Sequence, residues 1–79
     1  MSMRDTIITT FEEVAREQHR ALSPLADNLN LLQSGLDSLG FALVVARLED
    51  SLGYDPFDKA NRTPVTFGDF VKLYEDQSS

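Results

Sequence analysis

Between Met3 and Arg20 the apolar residues Met3, Ile7, Phe11 and Val14 recur at intervals of three and four, with Ile8 and Ala15 beside them. That spacing lines one face of a helix, and Glu12, Glu13, Arg16, Glu17 and Arg20 fill the remaining surface. Proline disfavours helical geometry in the residue before it, so Ser23-Pro24 is expected to break the segment. From Ala21 to Gly35 the leucines at 25, 29, 31 and 32, and Leu36 just beyond, follow no clean period among Asp27, Asn28, Asn30, Ser34 and Gly35. The pattern predicts a long loop whose leucines plug into the core from outside. Loops of that length are uncommon and usually functional, so the junction after it is the first place to look for chemistry.

The densest apolar stretch, about Ser38 to Leu52, predicts a second helix with Gly53 just past its end. Asp55-Pro56 reads as a cap and first turn, opening a short helix to about Ala60, and Asn61-Arg62-Thr63-Pro64 reads as a turn. Thr66 with Asp69 three residues on is similar to a capping box, and Phe67, Phe70, Val71 and Tyr74 then predict a last helix to about Asp76. Strand signals are nearly absent. The expected fold is all-α: a compact bundle of three main helices plus one short helix, with the long loop between the first and second helices. One domain spans residues 1–79, its folded part 3–76, with Gln77-Ser78-Ser79 as a loose tail.

On a helical wheel the second helix has two apolar faces. Phe41, Val44, Val45, Leu48 and Leu52 form the larger set and are expected to face the core. Leu39, Ala42, Leu43 and Ala46 lie opposite, flanked by Glu49 and Asp50. This second set is either covered by the leucine-rich loop or exposed to a partner, in which case Leu43 makes no core contact.

Composition narrows the chemistry. In 79 residues there is no cysteine and one histidine, which excludes disulfides, a Cys-based zinc site and a His cluster. No nucleophile–base pair, metal cluster or phosphate loop is present, so neither catalytic nor metal-binding residues are assigned. His19 reads as a solvated residue of a C-terminal turn rather than a base, and Phe57, Phe67, Phe70 and Tyr74 read as core. A net charge of −6 opposes binding to nucleic acid and to anionic membranes. No apolar run approaches the roughly 20 residues of a membrane span. The N-terminus lacks the basic-then-apolar layout of a secretory signal. These features predict a cytoplasmic monomer. Within the span Asp37–Asp58 the acids Asp37, Glu49, Asp50, Asp55 and Asp58 are set against a single basic residue, Arg47.

At the junction of loop and second helix stands Gly35-Leu36-Asp37-Ser38-Leu39. Glycine allows a tight entry, and Asp37 or Ser38 caps the free N–H groups of the first turn. The positive end of the helix dipole falls at the same place, favourable for a phosphate on Ser38. Capping alone accounts for the residue types.

The motif, followed by an apolar helix ending in Glu49-Asp50, resembles the attachment motif of acyl carrier proteins. The order of elements, the length, the acidity and the lack of cysteine resemble that family as well. The resemblance implies a 4′-phosphopantetheine arm, donated by coenzyme A, on the Ser38 hydroxyl, with Asp37 and Leu39 as flanking motif residues. It implies an acyl or aminoacyl cargo held as a thioester on the arm. The implied partners are a phosphopantetheinyl transferase, a loading ligase and downstream acyltransferases or synthases. These would read Leu39, Ala42, Leu43, Ala46, Glu49 and Asp50. Fatty-acid carriers place acids where this chain has Gly40 and Leu43, which makes its recognition face more apolar and similar to freestanding carriers of specialised pathways. The competing expectation is a small acidic helical adaptor with no prosthetic group.

Overall fold

The computed structural model describes residues 2–53 and 64–78, with the side chains of residues 77 and 78 excepted. Three α-helices account for most of them: α1 (Met3–Glu17), α2 (Ser38–Leu52) and α3 (Phe67–Ser78), with a 3-10 turn at Leu31–Gln33. The described residues contain no strand, only one isolated antiparallel bridge between Asn30 and Thr66. The all-α bundle and the long loop between α1 and α2 are as expected. The short helix expected at 55–60, its Asp55 cap, Phe57 and Asp58 lie outside the described residues.

α1 is capped by Ser2, whose hydroxyl accepts the Asp5 N–H at 3.1 Å. Its buried face is Ile7, Thr10, Phe11, Val14 and Ala15, and Thr10 returns its hydroxyl proton to the Thr6 carbonyl. The helix stops at Glu17, not at Ser23-Pro24. His19 takes a left-handed φ of 56°, its N–H donates to the Arg16 carbonyl, and the Arg20 N–H donates to the Ala15 carbonyl. These two bonds reverse the chain and satisfy carbonyls that the helix end leaves open. α3 opens on the reciprocal box expected of Thr66 and Asp69. The Asp69 N–H donates to the Thr66 hydroxyl and the Thr66 N–H to the Asp69 carboxylate. It runs on through Gln77 and Ser78, two residues of the expected tail.

α1 packs against both other helices. Phe11 meets Phe67 and Phe70 edge-on at 5.5 and 5.6 Å between centroids, and Phe41 of α2 meets Phe70 at 5.3 Å. Such edge-to-face contacts suit the ring quadrupole, and Phe67, Phe70 and Tyr74 are core as expected.

The long loop is tied along its length by backbone bonds. Ser23 donates its N–H to the Ser34 carbonyl and its hydroxyl to that of Gln33. Further on, the Phe67 and Gly68 N–H groups, first-turn donors of α3, go to the Leu29 and Asp27 carbonyls. A Cβ at Gly68 would stand 2.9 Å from the Asp27 oxygen, so glycine there admits the loop backbone. Leu31 and Leu36 are buried, and Leu25 and Leu29 are partly so. Leu32 departs from the expected plug. It is 91% exposed, because the 3-10 turn that buries Leu31 points its neighbour outward.

Candidate functional site

The loop delivers the chain to α2 through Gly35, whose φ of 107° is one that other residues avoid. Leu36 then buries itself in the core, and Asp37 takes extended geometry as the N-cap. Of the two candidates for the cap, Asp37 fills the role: its Oδ1 accepts the Gly40 N–H at 2.8 Å. Its other oxygen, Oδ2, accepts from Arg20 Nη2 at 3.0 Å. The Gly40 hydrogen bond, with the Arg20 charge adding to it against some desolvation, holds the Asp37 carboxyl below its ordinary pKa. The cap is therefore ionised at neutral pH.

Ser38 is the first residue of α2, and it is exposed. Its hydroxyl makes no hydrogen bond among the described residues, because Asp37 has taken over the capping. An accessible hydroxyl, released from structural duty beside the positive end of a 15-residue helix, is the nucleophile that a phosphodiester attachment requires. The residues present fit that group. Leu39 follows at 62% exposure.

Beyond the first turn, the buried face of α2 is Gly40, Val44 and Leu48. The core stripe is thus turned by roughly 55–60°, a little over half a residue step, from the Phe41–Val44–Val45–Leu48–Leu52 face expected. Gly40 is one residue of that turned face. It packs against Leu36 and Gln18, where a Cβ would stand 2.8 Å from Gln18 Oε1, so a residue without apolar weight sits on the buried face. Val45 moves to the half-buried margin on one side. Leu43 moves to the margin on the other and packs against the core, contrary to the expectation that it makes no core contact. Gly40 accordingly contributes nothing to an outward face. Leu39, Ala42, Ala46, Glu49 and Asp50 are exposed, with Leu43 at their edge, so the loop does not cover this set.

The acidic run around α2 is less isolated than its sequence neighbours imply. Arg20, from beyond α1, pairs with Asp37, and Arg47 pairs with Glu17 of α1 instead of an acid of its own helix. Arg20 was not among the expected site residues. It lies 17 positions from Asp37, and no local period links the two.

A family model described as the phosphopantetheine attachment site matches residues 5–58, which takes in most of α1, the loop and α2. Among curated proteins and solved structures, none matches the chain significantly.

Proposed function

Because this chain belongs to the phosphopantetheine attachment-site family, carriers with a covalent 4′-phosphopantetheine, we propose that it bears its arm on Ser38 and carries an acyl or aminoacyl group. The exposed, unengaged Ser38 hydroxyl at the head of α2 is the observation that supports this reading. Asp37 keeps the helix end capped, so loading Ser38 breaks no fold contact. When bound, the arm supplies the thiol that a chain without cysteine lacks, and with it an activated thioester. The protein is a carrier with no catalytic step of its own. The chemistry belongs to the modifying and biosynthetic enzymes that bind it.

Those enzymes read the outward side of α2: Leu39, Ala42 and Ala46, rimmed by Glu49 and Asp50, with Leu43 at the margin. A patch of this kind, apolar at its centre and acidic at its rim, suits a reversible contact beside the root of the arm. The apolar Leu43, where fatty-acid carriers offer a carboxylate, favours cargo of a specialised pathway.

Incubation with coenzyme A, magnesium and a broad-specificity phosphopantetheinyl transferase should raise the intact mass by one phosphopantetheinyl group. Ser38→Ala should abolish the gain while leaving the circular dichroism unchanged. Uptake by Ser38→Ala overturns the assignment, and no uptake by wild type favours the adaptor reading.

A further inference from the structure

Arg20 is held in place by its backbone. Its N–H donates to the Ala15 carbonyl in the reversal after α1. The next residue, Ala21, lies so close to Gly35 that a Cβ there would stand 2.2 Å from the Ala21 oxygen. The side chain therefore leaves from a backbone braced against the segment that leads into α2. The guanidinium reaches Asp37 Oδ2 at 3.0 Å, with about half of each side chain exposed. Asp37 does not need this contact to cap α2, since Oδ1 alone accepts the Gly40 N–H. Exposed pairs of this kind also add little to stability. Arg4 and Arg47 are engaged elsewhere, on Asp27 and Glu17.

Attachment at Ser38 places a second anion one residue from the Asp37 carboxylate, on Cα atoms about 3.8 Å apart. Two neighbouring anions then face one cation. A guanidinium presents five N–H donors in a planar fork suited to phosphate as well as carboxylate, and one of its nitrogens is on Asp37. We propose that Arg20 is a positioning residue for the prosthetic arm, holding the phosphodiester on Ser38 and bridging it to Asp37. This rests on attachment at Ser38. The reversal after α1 thereby fixes the root of an otherwise mobile arm.

The test compares wild type, Arg20→Gln and Arg20→Lys, each before and after loading from coenzyme A. Two quantities are read: the phosphorus-31 resonance of the diester, and the melting temperature by circular dichroism. The wild-type resonance should differ from that of Arg20→Gln and move toward it as salt is raised, with Arg20→Lys between. Loading should lower the melting temperature of Arg20→Gln by a few degrees more than that of wild type. A purely structural arginine would lower both forms of the variant equally and leave the resonance in place. Superposable spectra and equal loading shifts overturn the proposal while leaving attachment intact. Failure of wild type to take up the arm overturns both readings. Should Arg20→Gln resist loading, Ser38→Glu in wild-type and Arg20→Gln backgrounds makes the same comparison. Its cost in melting temperature should be larger without the arginine, and equal costs overturn the proposal.

Discussion

Two positions with left-handed backbone flank the loop and call for opposite substitutions. At Gly35 a side chain meets two obstacles: the φ of 107° and the Ala21 carbonyl oxygen 2.2 Å from the Cβ position. The neighbour is backbone, tied into the segment that sets Arg20 beside Asp37, and it does not yield cheaply. Gly35→Ala should cost roughly 2–4 kcal/mol, the sum of conformational strain and a steric overlap. At His19 the φ of 56° carries only the conformational term, because the side chain is exposed. His19→Gly should relieve it and stabilise the protein by about 0.5–1 kcal/mol. Thermal melts of the two variants decide the point, and a His19→Gly protein that melts lower than wild type contradicts this account of the α1 reversal. Gly35 announced itself in the sequence through its place before Asp-Ser-Leu. His19 did not, since nothing in a histidine marks a left-handed position until the two backbone bonds around it are seen.

At the scale of the elements, α2 has to be tested on the face that the structure gives it. Val44 is fully buried, Leu43 and Val45 stand at the two margins, and Ala46 is exposed. Val44→Arg should unfold the domain by burying an unpaired charge. Leu43→Arg should cost about 1–2 kcal/mol through its lost packing. Val45→Arg should be tolerated better than a core position, since an arginine at a margin extends its head into water. Ala46→Arg should leave the melt unchanged, arginine being a good helix former, yet weaken engagement by a loading enzyme by about 1–3 kcal/mol. An Ala46→Arg protein that unfolds, or that loads as fast as wild type, removes this face from the recognition surface. The amphipathic stripe of α1 was legible because its large apolar residues recur at helical spacing. The stripe of α2 was legible only to within a little over half a residue step, because one position of its buried face is Gly40, which carries no hydropathic signal. The loop was legible as a loop, but its pins to α3 are backbone N–H and carbonyl groups, which every residue possesses.

Over the whole molecule the charge imbalance acts at longer range than any of these contacts. The chain carries thirteen acids against seven basic residues. Among the described residues three ion pairs join separate segments: Arg4–Asp27 at 2.6 Å, Arg20–Asp37 at 3.0 Å, and Arg47–Glu17. All three are exposed and each contributes on the order of 0–1 kcal/mol. The molecule measures 33 × 24 × 24 Å. At 0.01 M salt the screening length is about 30 Å, so the excess negative charge repels itself across the full width of the fold. At 0.15 M it falls to about 8 Å, which silences that repulsion but leaves partners 3 Å apart largely in contact. Added salt therefore removes more destabilising than stabilising interaction, and the melting temperature should rise by several degrees between these two concentrations. Magnesium at equal ionic strength should raise it further, because a divalent ion is drawn more strongly to acids around α2 such as Glu49 and Asp50, both exposed. A melting temperature that falls over this range would mean that the three short ion pairs outweigh the net charge.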